Sequence, residues 1–444
     1  MNVLVIGSGG REHAIVDALS RSPQVEKIFC APGNAGIAQQ AECVAIKDTD
    51  VPALRDFALN HAIDLTVVGP EAALAVGIVD EFRSAGLRIF GHTQAATRIE
   101  SSKEFAKQLM EKYGIPTAAY RSFSDYDKAV EYLHQVSPVG GDSEVAHLPV
   151  LKYDGLAAGK GVIIPETMDE AEAALRSMLL DDAFGKGKVV IEEFLTGPEF
   201  SFMCFVRGGD ILPMPLAQDH KRAYDGDRGP NTGGMGAYTG LPFITDEDIE
   251  FAQTEIMQKT ADAMVTEGCP LSGVLYGGLM KTPQGIKVIE FNARFGDPET
   301  EVVLPLLQSD IADIFTWAAT PHNSQDPHNP HNPQTPLTSW SSGITMGVVL
   351  ASKGYPGSYD KGHEIIGIEN SNSHVYHMGT LNRDNRFFTN GGRVLMVVDS
   401  GATVREARDK VYAAVASIKC DNLFYRTDIA HQALTPLELP FNSL

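Results

Sequence analysis

The chain has 444 residues, 43% hydrophobic and 21% charged, with a formal net charge of −21. That length exceeds one ordinary core and predicts about two to four domains, while the negative field excludes nucleic acid and membrane surfaces as partners and makes local Lys/Arg clusters a requirement for any anionic substrate. No apolar run reaches the roughly 18 residues of a membrane span, no signal-peptide profile opens the chain, and five scattered cysteines without a Cys-x-x-Cys pair point to reduced thiols in a cytoplasmic protein.

Residues 1–100 alternate short apolar runs ("VLVIG", "KIFCA", "LTVVG", "RIFG") with amphipathic stretches ("EHAIVDALSRS", "PALRDFALNHA", "AVGIVDEFRSAG"). This pattern predicts a parallel sheet with helices on both faces, a flavodoxin- or Rossmann-like domain. Ligands of such sheets sit beyond the carboxyl ends of the strands, where "GSGGRE", "APGNAG", "VGPE" and "FGHT" stand. A nicotinamide does not fit. Gly7 and Gly9 match the dinucleotide fingerprint, but Glu12 occupies the third glycine position and the second strand ends without an acid for the ribose. Arg11 stands instead at a helix entrance, where backbone N–H groups and a guanidinium suit a single phosphate.

From "SSKEFAKQLMEKYGIP", a capped helix closed by glycine and proline, to residue 318 the pattern is mixed, with hairpin signals in "VRGGDIL" and "KTPQGIKV". An α+β domain over 101–318 is expected. Residues 319–340 are rich in Pro, Asn and His and read as a solvated linker or insertion, so His322, His328 and His331 are not taken as metal ligands. Residues 341–444 read as a small β-rich domain with mixed strands and helices, including the helix "TVREARDKVYAAVASI".

The chemistry begins at "PVLKYDGLAAGKGVIIP", residues 149–165. Lys152 ends one strand, and a glycine loop leads straight into another. This is no P-loop, because Gly161 follows Lys160 and no helix opens there. A glycine loop between strands can fold over a triphosphate, or it can be an ordinary hairpin. By itself the loop leaves both open. Further on, "KVVIEEFLTGPEFSF" carries Glu192, Glu193 and Glu199, and "GIKVIEFNARFGDPETE" puts Glu290 and Asn292 two apart on a strand, hence on one face. A carboxylate and an amide oxygen are hard ligands suited to Mg²⁺, and Arg294 follows on the same face. The shared face, and its order after a glycine flap, favour a nucleotide site.

With these features the chain resembles the ATP-grasp carboxylate–amine ligases. Through "GSGGREHA", "APGNAG", "VVGPEAAL", "DGLAAGKGV", "QDHKR", "GPNTGGMGAY" and "RFGDPETE" it is similar, more narrowly, to the phosphoribosylamine–glycine ligase family, from residue 2 to about 430. The resemblance implies an α/β and α+β multidomain fold with a central ATP-grasp domain. It implies ATP as co-substrate, Mg²⁺ or Mn²⁺, glycine and 5-phosphoribosylamine as substrates, a glycyl phosphate intermediate and a monomer. It also implies roles. Lys103 and Lys152 take the α- and β-phosphates; Asp154, Gly155, Gly159, Lys160 and Gly161 belong to the flap. Glu192, Glu193 and Phe194 form the adenine hinge, with Glu199 on the ribose. Glu290 and Asn292 hold the metal. Arg294 is the catalytic cation, with an ion pair to Asp297 or Glu299 as its structural alternative. Gly9, Gly10 and Arg11 face the sugar phosphate, Asn34 and Glu71 reach ribose hydroxyls, and Asp219, Lys221, Gly234 and Asp297 lie on substrate-side loops. Two positions depart from the family. Ala293 replaces a common cysteine, and His92 stands where proline is usual, which is expected to loosen that strand-end loop.

Overall fold

The computed structural model describes residues 1–137, 147–155, 161–181, 185, 187–321 and 334–434. Five parallel strands, β1 (Asn2–Gly7), β2 (Lys27–Pro32), β3 (Glu42–Cys43), β4 (Leu65–Val68) and β5 (Ile89–Phe90), lie in the order 3-2-1-4-5. Both faces of β1 are buried. Val3 and Val5 pack with Ala14, Ile15 and Leu19 of helix α1 (Gly10–Ser20), whereas Leu4 and Ile6 pack with Leu54, Ile78 and Phe82 on the other side. This is why the strand is a continuous apolar run. The strand order reverses at β1, so the loops after β1 and β2 diverge from the one after β4 and leave a crevice.

The acid that breaks the dinucleotide fingerprint has a structural use. Glu12 is 2% exposed, accepts the Gly9 N–H at 2.6 Å, and fills the space beneath two strand ends. A Cβ on Gly7 would lie 2.5 Å from its Cδ, and one on Gly69 2.0 Å from its Oε1. Both glycines are therefore required by a buried carboxylate.

A helix, Lys103–Tyr113, follows; the Ser102 hydroxyl caps its first turn and Gly114 ends it in the left-handed region. Next comes an antiparallel sheet in the order Tyr120–Phe123, Val189–Glu192, Val150–Tyr153, Val162–Ile163. Leu151, Tyr153, Val189 and Ile191 face the helices Tyr126–Val136 and Met168–Leu179. Period-two alternation then sends Lys152 and Glu192 to the opposite face.

That face looks toward a ten-stranded sheet. Its path runs Gly285–Asn292, Ser272–Thr282, Glu199–Arg207, Ala217–Asp219, Gly236–Thr239, Ile344–Ser352, Arg393–Gly401, His374–His377. Both hairpins expected from the sequence are present, Glu199–Arg207 with Asp210–Pro213 and Ser272–Thr282 with Gly285–Asn292. The C-terminal stretch continues the same sheet, through pairs such as Gly236↔Val348. Residues 322–333, with the three linker histidines, lie outside the described residues; at the near end Gln308 donates to the Ser339 carbonyl and Ser341 to that of Leu306. Among the described residues no helix is long and apolar enough to cross a membrane.

His92 does not loosen its loop. It is fully buried, accepts the Ser272 N–H on Nδ1 at 3.0 Å and donates from Nε2 to the Val274 carbonyl at 2.8 Å, stitching the front domain to the large sheet. Burial lowers its pKa to about 4. The unfolded chain therefore binds the extra proton between that value and about 6.5, so the contribution of His92 is whole above pH 6.5 and is lost as pH falls toward 4. His92→Ala is expected to cost about 2–4 kcal/mol at neutral pH by stranding two buried backbone groups. Urea titrations from pH 7 to 4 should give a shallower decline for the variant; parallel curves would clear His92 of the effect.

Candidate active site

Between the two antiparallel sheets lies a cavity of about 350 Å³. Lys103, Lys152, Glu290, Asn292 and Arg294 all line it, together with Glu71, Glu100, Lys107 and Glu192. Lys103 comes from the first turn of its helix, the second lysine from the small sheet, and the carboxylate–amide pair from the edge strand of the large one. Residues from Glu71 to Arg294, more than two hundred positions apart in sequence, thus meet in one space.

Burial pushes the Glu290 carboxyl up, but Lys221, Lys152, Lys103 and Arg294 outweigh it and hold the group below the usual carboxylate range. It is ionised at neutral pH. Among the described residues no three His, Cys, Asp or Glu side chains are placed to hold a metal ion by themselves. An ion here would have Glu290, the Asn292 amide oxygen and the oxygens of a bound phosphate, a donor set that fits a hard divalent cation.

Arg294 is pinned from several sides. Glu100 lies 3.2 Å from Nη2 and Glu71 3.4 Å from Nε, while Nη2 donates to Asn292 Oδ1 at 3.1 Å and Nη1 to the Phe295 carbonyl at 3.2 Å. Neither ion-pair partner suggested by the sequence is used. Asp297 pairs with Arg393 at 2.9 Å, and Glu299 accepts hydrogen bonds from Ser201 and Tyr276. Glu71, expected near a ribose, stands in this cavity as a partner of Arg294. Burial lowers the Lys103 pKa; its ammonium donates to the Gly155 carbonyl at 3.2 Å. Asp154 caps the Lys103 helix, accepting the Glu104 N–H at 3.1 Å. Gly161 lines the cavity, and its carbonyl accepts the Tyr153 N–H. Gly159 and Lys160 lie outside the described residues.

Glu192 lines this cavity and a neighbouring one of about 310 Å³, which also takes in Glu193, Phe194 and His147. Its Oε2 is held by Lys107 at 2.9 Å and Lys152 at 3.0 Å, a buried triad; its Oε1 is buried without a partner. Phe194 stacks on His147, the ring centroids 4.2 Å apart. The Glu193 side chain reaches the Ala119 N–H at 3.3 Å. Glu199 pairs with Lys221 at 2.8 Å and lines neither cavity.

A larger cleft, about 600 Å³, separates the front domain from the C-terminal strands. Gly9, Gly10 and Asn34 line one side, with Asp297, and Thr380, Gly391, Gly392 and Arg393 another. Arg11 turns away from it. Its Nε meets Glu12 at 2.6 Å and its Nη1 the Phe295 carbonyl at 3.2 Å. The Asn34 amide is spent as a staple: Nδ2 donates to the Ser8 and His377 carbonyls, and Oδ1 accepts from Gly36 and Ile37. Asp219 is half-buried, with its Oδ1 buried and unpartnered; desolvation and the nearby Glu299 push its pKa well up, against the pull of Lys221 and Arg393. Gly234 makes room for it, since a Cβ there would fall 2.5 Å from that oxygen.

Sequence reasoning passed over Lys107, Glu100 and Arg393. Lys107 carried a signal, because it stands one helical turn after Lys103 and so shares its face. Arg393 carried none, lying about a hundred residues from the nearest site motif.

Two lysines, an ionised carboxylate and an arginine facing one another between two antiparallel sheets define the ATP-grasp class. Family models of phosphoribosylglycinamide synthetase match residues 1–100 (N domain), 101–300 (ATP-grasp domain) and 345–432 (C domain). The chain belongs to the phosphoribosylglycinamide synthetase family. It is 48% identical to the phosphoribosylamine–glycine ligase of Halalkalibacterium halodurans, over 98% of this chain and 97% of that one. With the enzyme of the same name from Streptococcus pneumoniae it shares 46% identity over 98% and 100%. Among solved structures, the phosphoribosylamine–glycine ligase of Thermotoga maritima superposes with a TM-score of 0.81 at 32% identity, covering 96% of this chain and all of that one. The biotin carboxylase of Campylobacter jejuni shares the fold, with a TM-score of 0.69 at 13% identity over 98% and 95%.

Proposed function

We propose that the protein joins glycine to 5-phosphoribosylamine with ATP, forming glycinamide ribonucleotide, ADP and phosphate by way of glycyl phosphate. The observation that carries this reading is the single cavity holding Lys103, Lys152, Glu290, Asn292 and Arg294 beside a second, larger cleft. A carboxylate is a poor acyl donor, whereas its mixed anhydride with phosphate is a good one that water would destroy. A carboxylate oxygen of glycine attacks the γ-phosphorus and ADP leaves; the ribosyl amine then attacks the acyl carbon, and phosphate departs.

Phosphoryl transfer is mainly positioning and charge neutralisation. Lys103 and Lys152 face the phosphate chain, and the unpartnered Glu192 Oε1 accepts a donor from the base, with Phe194 beside it. Glu290 and Asn292 would hold a divalent cation, Mg²⁺ or Mn²⁺, which would neutralise phosphate charge. Arg294 is oriented by Glu71 and Glu100 to meet the glycine carboxylate or the transferring group. The glycine loop after Asp154 and Gly155 excludes water. Gly9, Gly10 and Asp297 form part of the ribosylamine cleft, with Asp219 and Gly234 between it and the nucleotide.

The test is ADP release with ATP, Mg²⁺, glycine and phosphoribosylamine generated in place from ribose 5-phosphate and ammonia, omitting one component at a time. ADP that appears only with both glycine and the sugar amine supports the ligase. Release that ignores both and answers to another carboxylate or amine would point to a different ATP-grasp ligase. ATP binding without turnover under every combination would make it a nucleotide-binding regulator.

A further inference from the structure

The two walls of the 600 Å³ cleft differ in charge, and the difference bears on where a sugar phosphate is held. On the front-domain wall the first turn of α1 is already occupied. Glu12 takes the Gly9 N–H, and Glu301, fully buried, sits so close behind Gly10 that a Cβ there would fall 2.3 Å from its Oε1. Neither oxygen of Glu301 has a partner among the described residues. The cation expected at this turn, Arg11, is committed to Glu12 and the Phe295 carbonyl. A phosphate at this turn would find the Gly9 N–H already taken and the Arg11 guanidinium already spent.

The opposite wall carries a cation with one edge uncommitted. Arg393 opens the strand Arg393–Gly401 and commits only Nη1, to the Gly233 carbonyl at 2.6 Å, the Asp297 carbonyl at 2.9 Å and the Asp297 carboxylate at 2.9 Å. Its Nε and Nη2 have no partner among the described residues. The anchored Nη1 fixes the plane of the guanidinium, which leaves the Nε/Nη2 edge as a preset two-pronged donor. The preceding residues, Gly391 and Gly392, bring bare backbone to the cleft, and a Cβ on Gly392 would fall 2.3 Å from the Tyr355 ring.

We propose that Arg393, and not the α1 turn with Arg11, grips the phosphate of the ribosyl phosphate substrate, with the Gly391–Gly392 backbone beside it. This rests on the ligase reading of the cleft and names the residue that reads the anion. Its consequence is that the C-terminal strands recognise the substrate as well as completing the sheet.

Calorimetric titration of the full chain with ribose 5-phosphate, ribose and ATP tests it. Arg393→Gln is expected to weaken ribose 5-phosphate about 10- to 100-fold while leaving ribose and ATP unchanged. Arg393→Lys should recover part of the loss, since it restores the charge without the fork. An equal loss for both sugars would mean that Arg393 only holds the loops of Gly233 and Asp297, and would overturn the assignment. So would an unchanged ribose 5-phosphate affinity, a selective loss in Arg11→Gln instead, or a parent protein with no preference for the phosphorylated sugar. Failure of the ligase reading has a separate signature, ADP release by the parent that ignores glycine and the ribosylamine.

Discussion

Glu290→Ala is expected to abolish turnover, by about a thousandfold or more, in a protein that remains folded. The side chain is the acid on which Lys103, Lys152, Lys221 and Arg294 all act, and their combined field keeps it ionised despite burial. On the proposed reading a divalent cation would lose its charged ligand, Asn292 being neutral, and with the cation the phosphate chain would lose its counter-charge. Glu290→Gln keeps the volume and one oxygen, yet should fail almost as badly because the missing quantity is charge. The fold should survive, since the strand Gly285–Asn292 is held by its backbone ladder to Ser272–Thr282 and not by this side chain. Circular dichroism and a Mg²⁺ titration of ADP release check both halves. A variant with full activity and unchanged metal dependence would remove Glu290 from the site.

The second large effect is on stability. In the Lys107–Glu192–Lys152 triad one buried carboxylate oxygen is shared by two ammonium groups. Glu192→Gln keeps the shape and removes the charge, leaving two buried cations beside each other, a change of the kind that costs about 3–5 kcal/mol. Burial, with repulsion from Lys152 and against the pull of Glu192, already lowers the Lys107 pKa to about 8. Losing Glu192 should lower it further. A lysine titrating lower in the folded than in the unfolded state destabilises at low pH and is relieved as pH rises toward 10.5. The variant should therefore unfold at lower temperature at pH 7 and regain part of the difference by pH 9. Saturating ATP should raise both melting temperatures, because it binds only the folded state. Scanning calorimetry at both pH values, with and without nucleotide, is the measurement. Equal melting temperatures for parent and variant at pH 7 would refute this account of the triad.

How much was legible follows from how local each determinant is. The parallel front domain could be read because both faces of β1 are buried, which forces the run "VLVIG" whatever packs on it. Glu290 and Asn292 could be read because strand alternation places them on one side. The hinge segment could be located but not resolved into roles: nothing in "IEEFL" says that Glu192 is locked between two lysines while Glu193 reaches a backbone N–H. Arg294 was found, but its partners were sought among near neighbours in "RFGDPETE", and the fold supplied Glu71 and Glu100, both from the front domain.

His92 makes the same point from the other side. A departure from proline suggested a looser loop, on chain stiffness alone. Its two hydrogen bonds run to Ser272 and Val274, some 180 positions away, and no local rule contains them.

By itself the sequence determined the class of each element, the glycine turns, the strand faces of the chemical side chains and, through its motifs, the family. Those depend on periods of two and three to four residues and on spacings within one loop. The tertiary structure decided which charges are spent. Arg11, Asn34 and Glu199 carry the right chemistry for a ligand, yet their groups are committed to Glu12 and Phe295, to four backbone partners, and to Lys221. Arg393 keeps one edge free although no motif marks it. A side chain's availability is what remains after its neighbours have taken their hydrogen bonds, and those neighbours come from other strands, so only the folded chain sets it.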